Sequence, residues 1–275
     1  MREVDVRRAL LVCVERALTR CSGNPFPRSL DSMESWATGL SKRLGLPQDV
    51  ALSGVLISAV REAMTEPWLS NSSLRLALEG MSAKRRAEFL AGRLCAAGSL
   101  REMGIAADFP LPVKDRLPVW PSGVLGSISH CATLAVAITA VKSRYRALGI
   151  DVESLMDSAT ARNIWRSVCG YEELTGLERC LSCRTRSLTL LFSAKEALYK
   201  ALFPLTGRFK DFHAAEFRGC EAGAVVLRLT RDWTPRWRAG AKIRVRHVWL
   251  GEAIICVVCV PVTQKPSGCL SDGTR

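Results

Sequence analysis

The sequence predicts an α+β fold, because segments typical of strands and of helices are mixed along the chain without strict alternation. Apolar residues make up 48% of the 275 residues and charged residues 24%, a globular composition that excludes a disordered or fibrous chain. A chain of this length has room for one or two domains and a sizeable core.

The first half of the chain contains one clearly predicted helix. Ser82 can cap a helix that runs from about Ala83 to Met103, with its apolar side chains on one face. The apolar run Leu52–Val60 fits either a helix or a strand. Nearer the start, apolar spacing predicts a helix over Val4–Leu18, and Gly, Asn and Pro residues predict a loop over Ser22–Ser29.

The second half contains most of the predicted strands. The β-branched, apolar segment Thr133–Val141 predicts a buried strand, and helical spacing predicts helices over Ala159–Val168 and Thr189–Leu202. Further strands are predicted over Leu148–Val152, Val225–Leu229, Lys242–Leu250 and Ala253–Val262.

The charge and the cysteine content restrict the class of protein. A net charge of +13 indicates an anionic partner, which could be nucleic acid, a phosphorylated cofactor, an acidic protein or a membrane surface. Eleven cysteines form an odd set without the pattern of a secreted disulfide framework. The apolar runs are shorter than the ~20 residues of a membrane helix, so we expect a cytoplasmic protein with free thiols.

Two acidic residues of the segment Gly149–Glu153 are candidate metal ligands. In an extended strand, Asp151 and Glu153 point to the same face, where their charges require neutralisation. Mg²⁺ binds carboxylate oxygens and keeps sites open for substrate phosphates. Two exposed acids at a strand end are the alternative interpretation.

The segment Phe192–Lys200 adds another acid and two lysines. On a helix, Glu196 and Lys200 are four residues apart and share a face. The alternatives are an ordinary surface ion pair, or a capping box in which Ser193 begins the helix and Glu196 folds back onto it.

A third segment, Gly126–His130, is expected directly before a strand. Its small residues allow a ligand to approach the backbone closely, and Ser129 and His130 can donate to phosphate oxygens. A histidine with a purely structural role is the alternative.

Taken together and in this order, the three segments resemble the signature of the 4′-phosphopantetheinyl transferases. That signature has a Ser-His pair before a strand, then Gly-Ile-Asp-x-Glu, then a Lys-Glu-x-x-x-Lys helix. The segments Lys84–Arg93 and Trp120–His130, with Arg116 just upstream of the latter, are similar to the siderophore-synthetase branch of the family. The resemblance covers roughly residues 50–262.

The resemblance implies a specific activity and architecture. The family transfers the 4′-phosphopantetheine group of coenzyme A to a serine of an acyl, peptidyl or aryl carrier protein, releasing adenosine 3′,5′-bisphosphate. Its fold has two similar α/β halves that form an intramolecular pseudo-dimer, with coenzyme A in the cleft between them. Here the halves would be residues 49–143 and 144–262, preceded by an extension of unknown role (1–48) and followed by a polar tail (263–275).

The resemblance also assigns roles to the acids and lysines. Asp151, Glu153 and Glu196 match the residues that bind Mg²⁺, for which Mn²⁺ is an alternative. Glu196, or a water on the metal, takes the proton of the carrier serine. Lys195 and Lys200 match positions near the pyrophosphate, where Lys200 is implied to assist catalysis, and Glu172 matches a further acid found in some members.

The remaining matched residues are implied to bind coenzyme A. Ser129 and His130 match contacts to the 3′-phosphate, and the basic residues near the nucleotide are Lys84, Arg85, Arg93 and Arg116. The expected partner is an acidic carrier protein or carrier domain, bound by a monomer. The basic stretch 208–246, with Trp233 and Trp237, is a possible docking rim, and two core tryptophans are the alternative.

Two other classes of function are weaker interpretations. The Cys-x-x-Cys pairs Cys180/Cys183 and Cys256/Cys259 could bind zinc. However, Cys256 and Cys259 lie in a strand-like run, where residues three apart face opposite sides, and Cys180 and Cys183 lie among polar residues and could be a surface pair or loop. The positive charge could bind nucleic acid, but it is dispersed and accompanies no known reader motif. We therefore expect neither a nucleic acid nor a membrane as partner.

Overall fold

The computed structural model describes residues 30–65, 78–107, 109, 111, 113–114, 117–207 and 210–263. The predicted helix Val4–Leu18, the loop Ser22–Ser29 and the candidate site residue Arg116 lie outside these ranges. The chain divides into two compact units, residues 1–141 (unit 1) and 142–275 (unit 2).

Unit 1 packs helices against a small antiparallel sheet. In chain order, its elements are α1 (Leu30–Leu44), β1 (Val50–Leu56), α2 (Ile57–Ala63), α3 (Ala83–Glu102), β2 (Val113–Lys114), β3 (Leu117–Pro118), β4 (Val124–His130) and β5 (Leu134–Val141). The sheet has the strand order β1–β5–β4, and β2 pairs with β3.

The long helix of unit 1 begins where its capping residue predicts. The Ser82 hydroxyl accepts a hydrogen bond from the Arg85 backbone N–H at 3.3 Å, which satisfies a donor of the first turn. Leu90 and Leu100 of α3 are completely buried in the unit 1 core. The apolar run Leu52–Val60 proves to contain both types of element, because β1 ends at Leu56 and α2 begins at Ile57.

Unit 2 is built on an antiparallel sheet of five strands. In chain order, its elements are β6 (Tyr145–Ser154), α4 (Ser158–Val168), α5 (Tyr171–Leu181), α6 (Arg184–Thr206), a 3-10 turn (Phe212–Ala214), β7 (Ala215–Glu221), β8 (Ala224–Leu229), β9 (Lys242–Leu250) and β10 (Ala253–Pro261). The strand order in the sheet is β6–β10–β9–β8–β7. Segregated helices and antiparallel sheets confirm the predicted α+β class.

The core of unit 2 lies between the sheet and α6. It includes Trp233 and Trp237, which are 8% and 3% exposed, so the interpretation as core tryptophans is confirmed and they do not form a docking rim.

Two elements of unit 2, helix α5 and strand β7, were not predicted from the sequence. None of the helices within the described ranges is long and apolar enough to cross a membrane.

Candidate active site

Strand β6 places two carboxylates on the face of the sheet that α6 covers. Asp151 lies opposite Cys256 of β10, and Glu153 lies opposite Ile254. The side chain of Asp151 is almost fully buried and that of Glu153 is half-buried. The interpretation of Asp151 as an exposed acid at a strand end is therefore wrong.

Gly149 allows α6 to approach β6 closely enough to complete the site. A Cβ atom at Gly149 would overlap the carbonyl oxygen of Ala197 and would lie 2.6 Å from the backbone nitrogen of Ala201. Glu196 and Lys200 immediately precede these two alanines, so the close contact at Gly149 sets their distance from Asp151. The role of Gly149 was not recognised in the sequence.

Helix α6 presents Glu196 and Lys200 to the acids of β6. The helix begins at Arg184, so Ser193 lies in its middle and the capping-box interpretation is wrong. The Lys200 ammonium donates to Oδ1 of Asp151 at 2.6 Å, and both side chains are largely shielded from solvent. The helical spacing of four residues thus brings both Glu196 and Lys200 close to the carboxylate of Asp151.

The three carboxylates are close enough to perturb one another. Burial raises the pKa of Glu196, and the charge of Asp151 raises it further. Burial likewise raises the pKa of Glu153, with added contributions from Asp151 and Glu196, while Lys200 acts in the opposite direction on both. The cluster therefore concentrates negative charge that Lys200 neutralises only in part.

The donor set suits a hard divalent cation. Within the described ranges, no group of three or more histidine, cysteine, aspartate or glutamate side chains is arranged to hold a metal ion. However, Asp151, Glu153 and Glu196 supply only carboxylate oxygens, in a half-buried cluster where their charges repel one another. Oxygen donors of this kind are the ligands that Mg²⁺ prefers.

Lys195 has partners different from those expected. It is buried, donates to the carbonyl oxygen of Val168 at 2.8 Å, and forms an ion pair with Glu173 at 3.0 Å. Glu173 also accepts the backbone N–H groups of Gly170 and Phe217. These bonds join α4, α5, α6 and β7, so Lys195 anchors α6, and it also lines a cleft beside Glu196. Its implied position near the pyrophosphate stays a prediction.

Glu173 was missed in the sequence, whereas its neighbour Glu172 was singled out. Glu172 is exposed in the first turn of α5. The signal that could have identified Glu173 is its position three residues after Gly170, at the start of an apolar helix, where a glutamate folds back to accept the N-cap N–H.

Breaking this buried ion pair is expected to destabilise the protein strongly. Glu173→Gln leaves the ammonium of Lys195 buried without its carboxylate, which costs about 3–5 kcal/mol in the free energy of unfolding. Denaturant unfolding measures the change. Glu178→Gln, which removes a more exposed ion pair with Arg184 from the same helix, is the control and should cost less than about 1 kcal/mol. Equal losses in the two variants would contradict the assignment.

Unit 1 carries a separate cluster of predicted ligand-binding residues. Arg85 of α3 lies 3.2 Å from Nε2 of His130 on β4, and both side chains lie near Glu88. Lys84 is exposed and lies 3.9 Å from Glu88. Ser129 is buried on β4, so the Ser-His pair ends one strand and, as predicted, directly precedes another, β5.

Arg93 is the most unusual member of this cluster. Its guanidinium lies 4.9 Å from the centre of the Phe89 ring, and the residue as a whole is 7% exposed. Its Nε and Nη1 atoms have no hydrogen-bond partner in the described structure. Burial, and then the charge of Arg85, lower the pKa of Arg93 to about 10. A buried cation of this kind is suited to bind an anion.

Gly126 has a structural reason to be glycine. A Cβ atom there would lie 2.5 Å from the Trp120 ring, so the residue makes room for that side chain. The expectation that the small residues of this segment admit a ligand stays a prediction.

A small cleft of about 50 Å³ adjoins Glu196 within unit 2. It is lined on its apolar side by Tyr199, Phe212 and Trp233, and Lys210 and Asp211 contribute polar groups. This cleft was not predictable from the sequence, because its walls come from segments far apart in the chain.

Comparison with known protein families gives two matches. A family model described as the 4′-phosphopantetheinyl transferase N-terminal domain matches residues 74–140. A second, described as the 4′-phosphopantetheinyl transferase superfamily, matches residues 147–258 and so includes all three acids of the site.

Individual proteins show the same similarity. The chain is 44% identical over 152 residues to enterobactin synthase component D of Salmonella typhimurium, which covers 55% of this chain and 62% of that protein. It is 36% identical over 191 residues to the protein of the same name from Salmonella typhi, covering 69% of this chain and 77% of the relative. It is 34% identical over 133 residues to the 4′-phosphopantetheinyl transferase PptT of Mycobacterium tuberculosis, covering 48% and 58% respectively.

Proposed function

This chain belongs to the 4′-phosphopantetheinyl transferase superfamily, and on that premise we propose that it transfers the 4′-phosphopantetheine group of coenzyme A to a serine of an apo carrier protein. The released product is adenosine 3′,5′-bisphosphate. The observation that carries this proposal is the cluster of Asp151, Glu153 and Glu196 around Lys200.

The acidic cluster is proposed to hold the metal ion. Asp151, Glu153 and Glu196 would bind Mg²⁺ or Mn²⁺ through carboxylate oxygens. The bound ion would neutralise charge on the diphosphate and act as a Lewis acid on the leaving phosphate. Crowded carboxylates with a single lysine beside them support this assignment.

The chain's own residues perform the rest of the reaction. Glu196 is the proposed acceptor for the proton of the carrier serine, and Lys200 would offset negative charge that develops on the diphosphate. The cleft beside Glu196 has the apolar lining suited to the uncharged pantetheine arm. Lys195 contributes by fixing α6 through Glu173.

The basic cluster of unit 1 is proposed to bind the nucleotide end of coenzyme A. Arg85 and His130 lie together, and Arg93 offers two buried N–H donors without partners. Ser129 and the exposed Lys84 are further proposed contacts. Because phosphate oxygens accept charge-assisted hydrogen bonds from arginine, the 3′-phosphate is the group these side chains would recognise.

The proposed substrate protein is an acidic carrier protein or carrier domain. Relatives named enterobactin synthase component D favour a carrier domain of a siderophore synthase. We further propose a monomer that acts in the cytoplasm. The proposed division of the chain is 1–48, 49–143, 144–262 and 263–275, and the boundary between the two compact units after Val141 supports it.

A carrier-modification assay tests the proposed activity. The protein is incubated with coenzyme A, Mg²⁺ and a panel of apo acyl, peptidyl and aryl carrier proteins, and the intact mass of each carrier is measured. We expect one added phosphopantetheinyl group on at least one carrier, and none when coenzyme A is omitted. Unmodified carriers throughout the panel would contradict the proposal.

Removal of Arg93 is expected to weaken recognition of the 3′-phosphate. Arg93→Ala should raise the KM for coenzyme A by about 10- to 100-fold. A change of this size corresponds to the free-energy contribution of one charge-assisted hydrogen bond to a buried group. The same variant should change the KM for 3′-dephospho-coenzyme A little. Steady-state kinetics with both substrates measures this difference, with Arg101→Ala at the end of the same helix as the control. Equal losses with both substrates would argue against the assignment.

A further inference from the structure

The cysteine pairs noted in the sequence have no place in the proposed reaction. The structure brings Cys180 close to a third cysteine, Cys220, which lies forty residues further along the chain. Both thiols are exposed and free. Cys180 lies in the last turn of α5 and Cys220 near the end of β7.

A bulge in β7 turns Cys220 toward α5. Phe217 lies opposite Leu227 of β8, but after a register shift Cys220 lies opposite Val225. Leu227 and Val225 are both buried in the core of unit 2. Residues opposite one another in an antiparallel pair share a face, so the bulge places Phe217 and Cys220, three residues apart, on the same side.

Helix α5 lies on that side of β7 and aligns Cys180 with Cys220. A Cβ atom at Gly176 would lie 3.5 Å from the Phe217 ring, so this turn of α5 packs on that part of β7. Cys180 is one helical turn beyond Gly176 and on the same face. Burial, and then the neighbouring Cys180 thiol, raise the pKa of Cys220 to about 12. The Cys180 thiol itself donates to the carbonyl oxygen of Gly176 at 3.8 Å.

Cys183 is closer in sequence to Cys180 but has a different position. Ser182 adopts a left-handed conformation (φ 53°) that ends α5, and Cys183 is the N-cap residue of α6. The Cys183 sulfur lies 3.3 Å from the hydroxyl of Thr185, in the first turn of α6. The chain reversal at Ser182 thus separates the two cysteines of the Cys-x-x-Cys pair.

We propose that Cys180 and Cys220 form an oxidisable dithiol that hydrogen peroxide converts, reversibly, to an intramolecular disulfide bond. The Cys180 thiolate attacks one peroxide oxygen, the O–O bond breaks, and hydroxide leaves and takes a proton to become water. Cys220 then attacks the resulting sulfenic acid, its proton leaves with the hydroxyl group as a second water, and the S–S bond forms. Two thiols are oxidised and one peroxide is reduced to two waters.

The disulfide would strengthen a junction that already supports α6. Glu173, in the first turn of α5, already joins this helix to β7, because its carboxylate accepts the Phe217 backbone N–H and forms an ion pair with Lys195. A second link between α5 and β7 closes a loop of about forty residues, which restricts the unfolded chain. The proposal does not depend on the transferase activity.

Peptide mapping after oxidation tests the pairing directly. The full-length protein is treated with hydrogen peroxide, its remaining thiols are alkylated, and it is digested with trypsin without reduction. Cleavage by trypsin leaves Cys180 and Cys183 together in peptide 180–184 and Cys220 in peptide 219–228. We expect these two peptides to be cross-linked, and to separate again when the oxidised protein is treated with dithiothreitol.

Three variants identify the sulfur atoms. The cross-link should be absent in Cys180→Ser and in Cys220→Ser and should persist in Cys183→Ser, which is the matched control. The oxidised wild-type protein should also have a Tm higher than the reduced form by roughly 5 °C. A bond within peptide 180–184, a cross-link from either peptide to another cysteine, or alkylation of both thiols after peroxide treatment would each overturn the proposal. The mapping of the wild-type protein decides between these outcomes even if a variant fails to fold.

Discussion

Replacement of Asp151 by asparagine should reduce the rate of phosphopantetheinyl transfer by about 10²- to 10³-fold, the effect of removing one electrostatic group from a preorganised site. Asp151 is the buried centre of the acidic cluster: its charge raises the pKa of both Glu153 and Glu196, and it binds Lys200 at 2.6 Å. Asparagine keeps the shape but removes the charge. Glu196→Gln should have an effect of the same size, because Glu196 is proposed as both a metal ligand and the proton acceptor.

The transfer rate to an apo carrier protein, followed by intact mass, measures this loss. Glu172→Gln is the matched control, since it removes an exposed acid from the start of α5. We expect this variant to retain wild-type activity, and all three variants to show the circular dichroism spectrum of the folded protein. A folded Asp151→Asn or Glu196→Gln protein with a near wild-type rate would refute the assignment of the metal ligands.

Gly149→Ala should cause the second large effect, on stability as well as activity. The added methyl group would overlap the carbonyl oxygen of Ala197, a backbone atom that cannot move without shifting α6. Overpacking at such a site costs about 3 kcal/mol in the free energy of unfolding. A shift of α6 would also move Glu196 and Lys200 away from Asp151, so transfer activity should fall with stability.

Denaturant unfolding and the transfer rate together test this prediction. Gly219→Ala is the control, because a Cβ atom at Gly219 of β7 has nothing within 4 Å. We expect this control to change the free energy of unfolding by less than about 1 kcal/mol. Wild-type stability in Gly149→Ala would show that β6 and α6 are not in close contact.

The elements with strong periodic patterns were predictable from the sequence. The β-branched segment of β5 and the capped helix α3 lie within a few residues of their predicted positions. The start of α6 was placed too late, because Arg184–Leu188 has no clear apolar period before the buried segment begins. Strand β7 was missed because its bulge disrupts the alternation on which strand prediction depends.

The site was predictable where neighbours in sequence are also neighbours in space. The period of two in a strand brings Asp151 and Glu153 to one face, and the spacing of four in a helix does the same for Glu196 and Lys200. The partner of Lys195 was not predictable, because Glu173 reaches it only through the packing of α5 against α6. For the same reason, the contact between Cys180 and Cys220 has no signature in the spacing of the cysteines.

We propose that Asp151, Glu153 and Glu196 together bind a single divalent ion when coenzyme A is present. Electron paramagnetic resonance of Mn²⁺ measures this binding, because the signal of the free ion decreases as the ion binds. We predict that the wild-type protein with coenzyme A removes this signal in proportion to its concentration, and that Asp151→Asn, Glu153→Gln and Glu196→Gln each weaken binding at least about tenfold. Folded variants that bind Mn²⁺ as tightly as the wild-type protein would contradict the claim.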